Sequence, residues 1–328
     1  MLPDADVQEP APNAELNLYS MVTCETRLGA NRKHLRFVAE NAGSYYRPFS
    51  KRDRARPFER ISSRTKKPPR PIDNPCGELK ILQKRINEKL LKPLVLPRYL
   101  CGGVPGKSVL DNVFLHLGAP VLVTVDIKSF FRRITNRQVY EVWKSTLNCS
   151  PKIAALLTQL TTFERHLPQG APTSSLLANL VMYSIDRPVR EECARRGVQY
   201  STWVDDLAFS GREAREVISV VVETLRRAGF SVSHRKLKIM GPGTRKVLNG
   251  ILMGRFPGVL PDRIARLRSG IHKLRTNQVA ANEMDRYVQQ LEGGVVYVAS
   301  IDPRKGAKLQ KELRSAVVLC GLNGVACG

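Results

Sequence analysis

The chain has 328 residues, is 42% hydrophobic, and carries 53 Lys and Arg against 29 Asp and Glu, a formal net charge of +24 with a pI near 10.1. That length can bury a real core in two or three domains, and that charge selects a polyanionic partner, nucleic acid ahead of an anionic membrane surface. No apolar run approaches the ~18 residues that cross a bilayer, the first residues lack the basic and apolar regions of a signal peptide, and seven Cys without a Cys-x-x-Cys pair argue against disulfides and zinc, so a reducing cytoplasm is expected.

Residues 1 to about 15 are polar, acidic and Pro-rich, and are expected to be disordered or loosely attached. Ten Lys and Arg fall between Arg47 and Arg70, Lys66 and Lys67 among them. The Pro residues in that run predict basic loop and extended chain rather than one helix. From Leu79 to Leu90, apolar residues at 79, 82, 86 and 90 predict a helix with a basic opposite face. Cys101-Gly-Gly-Val-Pro-Gly-Lys-Ser108 nearly matches a Walker A loop. Cys stands where the first Gly belongs, and the preceding Lys92–Pro97 stretch has two Pro, so an ATPase site is rejected.

Further along, Pro120–Asp126 predicts a buried strand that ends on a carboxylate. Thr173 and Ser174 precede apolar residues at 176, 177, 180, 181 and 185, which predicts a capped helix. Asp205 and Asp206 lie between two strand-like runs, which predicts a hairpin with an acidic tip. A helix is predicted from Arg212 to Gly229, a strand or hairpin over Lys246–Met253, and helices near 262–275 and 305–318. The five His show no metal-ligand spacing, so each is expected to be structural or on the surface.

An acidic pair alone is most often a solvated turn. Here a strand ending at Asp126 and a hairpin holding Asp205 and Asp206 can gather three carboxylates that lie 79 residues apart in sequence. Three such charges repel unless a cation neutralises them. Hard divalent cations take carboxylate oxygens, and two of them serve phosphoryl and nucleotidyl transfer. A basic chain with such a site points to polymerase or nuclease chemistry.

The ordered motifs resemble those of reverse transcriptases. Val125-Asp-Ile-Lys-Ser-Phe-Phe131 is similar to motif A, Leu167-Pro-Gln-Gly-Ala-Pro-Thr-Ser-Ser-Leu-Leu-Ala-Asn179 to motif B, and Trp203-Val-Asp-Asp206 to motif C, where the family usually has Tyr. Arg70–Gln83 and Gly102–Ser108 resemble fingers segments, and Lys236 falls where motif D places a lysine. Asn112-Val-Phe-Leu-His116 and Leu248-Asn-Gly-Ile251 resemble, imperfectly, two signatures of the bacterial retron type, and Leu291–Pro303 resembles its thumb segment.

The resemblance implies an α+β right-hand polymerase, with an antiparallel palm sheet backed by helices. Its expected parts are an N-terminal extension (1–45), fingers (46–119), palm (120–254, with a fingers insertion near 136–168) and a helical thumb (255–328). It implies two Mg²⁺ ions on Asp126, Asp205, Asp206 and the Ile127 carbonyl, with Lys236 as proton donor to pyrophosphate. Lys66, Lys67 and Arg70 are expected on the triphosphate, Gln169 and Gly170 around the nucleotide, and Phe131 under the sugar as a gate against ribose. Of Phe130 and Phe131, one is expected to be a core aromatic. Asn112, His116, Trp203, Asn249 and Gly250 are expected to contact RNA or primer.

The expected activity is RNA-directed DNA synthesis from dNTPs. Its template would be a structured non-coding RNA, its product branched RNA–DNA, and its setting phage defence with an effector protein in the bacterial cytoplasm. The rivals are another defence-associated or group II-like reverse transcriptase with a different primer, and a catalytically silent RNA-binding scaffold.

Overall fold

The computed structural model describes residues 15–51 and 70–320. The loose segment expected at the N-terminus, most of the basic run, and Lys66 and Lys67 lie outside them. The described chain forms two compact units, one from 15–51 with 70–244 and one from 245 onward.

The first unit begins with helices α1 (Met21–Leu28) and α2 (Arg32–Glu40) and a two-stranded ribbon, β1 (Phe49–Lys51) with β2 (Arg70–Ile72). Then come α3 (Gly77–Ile86), α4 (Val109–Leu115), β3 (Leu122–Asp126), α5 (Phe130–Arg133), α6 (Asn136–Glu141), α7 (Pro151–Thr161), α8 (Ser174–Ile185) and α9 (Arg187–Arg195). The unit closes with β4 (Gln199–Trp203), β5 (Asp206–Ser210), α10 (Ile218–Arg227) and β6 (Lys238–Met240). Strands β4, β5, β3 and β6 make one antiparallel sheet in that order. The α+β class, with an antiparallel sheet backed by helices, is the expected one.

Several elements differ from their sequence expectation. The α3 helix gives way at Ile86 to a π-helical turn, Asn87–Leu91, which brings both Leu90 and Leu91 into the core. Thr173 does not cap α8, because its backbone is already helical. The Ser174 hydroxyl instead donates to the Pro168 carbonyl at 2.6 Å and draws the preceding loop onto the helix start. Helix α10 begins at Ile218 rather than Arg212, since turns fill the interval.

The expected domain limits also shift. Leu16, Leu18, Leu28, Leu35 and Val38 are buried in the same core as Leu79, Val123 and Leu177, so residues from 16 onward are part of this unit and not an extension. That shared core also runs through the expected boundary between 119 and 120. The second unit starts at 245, not 255, because the meander of β7 (Lys246–Leu248), β8 (Ile251–Met253) and β9 (Pro257–Val259) packs Val259 into the core of the following helices.

Those helices are α11 (Pro261–Arg275), α12 (Met284–Ile301) and α13 (Pro303–Leu319). Their contacts are close because glycine allows it. A Cβ on Gly294 would stand 2.5 Å from Leu267, and one on Gly306 would stand 2.3 Å from the Ala299 backbone. Backbone cannot yield as a side-chain tip can, so Gly306→Ala is expected to lower stability by about 2 kcal/mol or more, read as a fall in thermal midpoint. An unchanged midpoint would mean that α12 and α13 separate at no cost.

Asn112 and His116 are not available to RNA as expected, since each is only 1% exposed. The His116 ring lies between the Ser210 hydroxyl, 2.8 Å from Nδ1, and the Ser201 hydroxyl, 2.6 Å from Nε2, while Ser201 donates to Asn112 Oδ1. The pair therefore fastens α4 to the backs of β4 and β5. Burial pushes the His116 pKa down to about 3, from an ordinary 6.5. The unfolded chain then takes up a proton below 6.5 that the folded one refuses. Stability is complete above 6.5 and falls on acidification, by up to about 1.4 kcal/mol per pH unit. His116→Gln is expected to flatten this dependence between pH 6.5 and 4.5 in urea titrations, whatever its effect on absolute stability. An equally steep variant would show that other groups carry it.

Candidate active site

Strand β3 is buried on both faces and lies between β5 and β6. Its β-branched and apolar residues suit that central place, and its last residue, Asp126, ends the strand while still buried, at 7% exposure. Asp126 pairs in register with Asp206, the first residue of β5, and Trp203 pairs with Asp206 from the other side. Only Val204 and Asp205 connect β4 to β5. The expected acidic hairpin tip thus meets the carboxylate end of β3.

The turn is strained and braced. Val204 has φ +60°, a left-handed conformation that a β-branched residue rarely adopts. The Ile127 N–H donates to the Asp205 carbonyl at 2.9 Å. On the outer side, Cys101 N–H donates to the Thr202 carbonyl and Thr202 N–H to the Tyr99 carbonyl, so the 99–101 segment runs along β4. Gly102 then lies on the turn itself, where a Cβ would stand 2.6 Å from the Val204 nitrogen. The Asn179 amide donates to the Gly102 carbonyl at 2.8 Å and ties this strap to α8. Lys107, the would-be Walker lysine, gives its ammonium to the carbonyls of Pro97, Arg98 and Leu100 and closes its own loop.

The antiparallel register of β6 on β3 sets Lys238 opposite Thr124, which carries Lys236 to the level of Asp126. Its ammonium lies 2.6 Å from Asp126 Oδ2. Ser233 N–H also donates to the Asp126 carbonyl, fixing the approach of this segment. Asp206 feels this crowding. Burial, then Asp205 and Asp126, push its pKa up to about 6 against the pull of Lys236 and Lys238. Among the described residues, no three His, Cys, Asp or Glu side chains converge as a metal-ligand group as they stand. The donor set still suits a hard divalent cation. It is all oxygen, and a carboxylate so destabilised in its charged form gains from added positive charge.

The other expected residues fall in three groups. Phe130 is 2% exposed and packs on Phe230 at 5.2 Å, while Phe131 is only half-buried, so Phe130 is the core ring. Gln169 and Gly170 lie in the loop before α8, which is held against the end of β2, the strand that Arg70 begins. Asn249 and Gly250 both have positive φ and form the two-residue turn between β7 and β8, where Asn-Gly is favoured for folding reasons alone.

Two buried carboxylates carry weight that the sequence did not reveal. Asp186 is 1% exposed, pairs with Arg190 at 2.8 Å and accepts from the Tyr200 hydroxyl at 3.3 Å. Burial pushes its pKa up to about 6. Arg190 in turn lies over Tyr183 and Tyr99, and this network backs β4. Asp73 is 2% exposed and joins β2, the Gln169 loop and α5.

Residues 61–252, more than half of the chain, match the family described as reverse transcriptase (RNA-dependent DNA polymerase). Among curated proteins, the Retron Ec86 reverse transcriptase of Escherichia coli is 26% identical over 73% of this chain and 74% of its own length. The Retron Mx65 reverse transcriptase of Myxococcus xanthus is also 26% identical, over 72% of this chain and 59% of its own length. The Retron Se72 reverse transcriptase of Salmonella heidelberg is matched over 57% of its length, so the chain spans little more than half of these last two. Among solved structures, a foamy viral protease-reverse transcriptase in complex with double-stranded DNA aligns over 87% of this chain and 46% of that one, at 13% identity and a TM-score of 0.42.

Proposed function

This chain belongs to the reverse transcriptase (RNA-dependent DNA polymerase) family, and on that footing we propose that it is a retron-type RNA-directed DNA polymerase. The observation that carries the reading is the register that sets Asp126 beside Asp206 with Asp205 in the connecting turn. The three carboxylates, with the Ile127 carbonyl, would hold two Mg²⁺ ions. The chemistry such ions supply when bound is activation of an attacking hydroxyl and neutralisation of a leaving phosphate.

The protein's own groups do the rest. Lys236 holds a proton on Nζ beside the cluster and serves as the donor to leaving pyrophosphate. Arg70, with Lys66 or Lys67, binds the triphosphate, since a guanidinium matches phosphate oxygens in pairs. Gln169 and Gly170 shape the base and sugar pocket, and Phe131 refuses a ribose hydroxyl. Trp203 lies next to Asp206 in the sheet and faces the primer end. A net charge of +24 supports RNA as the partner.

The retron reading follows the curated relatives. It assigns a structured non-coding RNA as template, a branched RNA–DNA product, an effector protein and a role in phage defence in the bacterial cytoplasm. Among the described residues, no helix is long and apolar enough to cross a membrane. The test is to sequence the nucleic acid that co-purifies with the protein. One recurrent RNA joined to complementary DNA through a 2′ linkage is expected. RNA without complementary DNA, or a random RNA population, would contradict the retron assignment.

A further inference from the structure

We propose that Asp73 is a positioning residue, which fastens the Gln169–Gly170 loop of the nucleotide pocket to the strand that Arg70 begins and to Arg132. The inference rests on the functional reading above and names a residue which that reading does not use.

Asp73 follows β2 directly and is 2% exposed. Its Oδ2 accepts from the Gln169 N–H at 3.0 Å and lies 3.2 Å from His166 Nε2. Its Oδ1 lies 3.8 Å from the Arg132 guanidinium. Its own N–H donates to the Gln169 carbonyl at 2.9 Å, so residues 73 and 169 hold each other through two bonds. The next residue completes the joint. Gly170 has φ +113°, and a Cβ there would stand 2.9 Å from Ile72 Cγ2. On its far side the loop is held by Leu167 N–H to the Ile134 carbonyl at 3.0 Å and by Ser174 to Pro168.

A buried carboxylate is costly unless it is paired and hydrogen-bonded. An apolar residue there would fill the space but leave the Gln169 N–H without its acceptor. What an apolar residue cannot do is bind three elements at once. Asp73 reaches β2, the 166–169 loop and α5, where Arg132 stands next to the half-buried Phe131. Arg132 is about half exposed, at 48%, and its guanidinium has donors beyond the one nearest Asp73. One carboxylate therefore sets the distances among the triphosphate strand, the pocket loop and the sugar gate. A pocket held this way is organised before the nucleotide arrives.

The test compares wild type with Asp73→Ala and Asp73→Asn in steady-state extension on an RNA template, well below each thermal midpoint. Asp73→Ala is expected to raise KM for dNTPs about tenfold or more, with kcat within about threefold and primer-template Kd unchanged. Asp73→Asn keeps an acceptor for the Gln169 N–H and should recover part of the loss. Unchanged KM in both variants would overturn the proposal. So would a loss of kcat alone that tracks the unfolded fraction.

A second readout does not depend on polymerase activity. Hydrogen exchange at the Gln169 amide should be at least about tenfold faster in Asp73→Ala than in wild type, with Asp73→Asn between the two. An unchanged rate overturns the positioning role, even if the wild type proves inactive and the functional reading itself fails.

Discussion

Asp126→Asn is expected to reduce RNA-templated DNA synthesis by at least about a thousandfold, while the protein stays folded and keeps its affinity for RNA. The size follows from the position. Asp126 is the only carboxylate on β3, it faces Asp206 in register, and it carries the ion pair with Lys236. An amide keeps its shape and loses the charge that would hold the metals. Each factor of ten in rate corresponds to about 1.4 kcal/mol, and loss of metal-borne stabilisation amounts to several kcal/mol. Folding should not suffer in proportion, because Asp126 is one of the charges that push the Asp206 pKa up. The variant relieves a repulsion. Primer extension within tenfold of wild type would remove Asp126 from the chemistry, and a collapse of the thermal midpoint would show a structural role instead.

Phe131→Ala is expected to lower the preference for dNTPs over NTPs by about ten- to a hundredfold, the range that steric exclusion in a pocket supplies. The measurement is the ratio of kcat/KM for dCTP and CTP on one template. Phe130→Ala provides the control. Phe130 is buried against Phe230, and its loss should cost about 3–5 kcal/mol of stability with no change in that ratio. These two outcomes together would separate the adjacent rings into a core residue and a gate. A ratio that shifts for Phe130 and holds for Phe131 would reverse the assignment.

Much of this site was legible because its parts are local. A β-branched run that ends on Asp126, and an acidic pair between two short strands, each announce a strand end from a handful of residues. The order of the motifs then joined them. The braces were not legible, because each is one polar residue whose partner is remote. Asp73 meets Gln169 across 96 positions and looks in sequence like any loop aspartate. Asn112 and His116 form a recognisable pair, yet spacing alone does not tell a buried hydrogen-bond bridge from an RNA contact. The strain at Val204 is likewise invisible in sequence, since valine there predicts strand and the chain turns instead. The early helices read in sequence as an extension because α1 and α2 are short. Their apolar residues gain meaning only against α3 and α7 in one core.

We propose that the corner of Asp126, Asp205 and Asp206 copies RNA into DNA. The most direct measurement supplies purified wild type and Asp205→Asn, prepared together, with a defined RNA template, an annealed DNA primer, Mg²⁺ and labelled dNTPs. The wild type is expected to extend the primer to the template end, with a sequence complementary to the RNA, and Asp205→Asn to leave it unextended. Equal synthesis by the two proteins, or a wild type that leaves the primer unextended, would remove this corner from DNA synthesis.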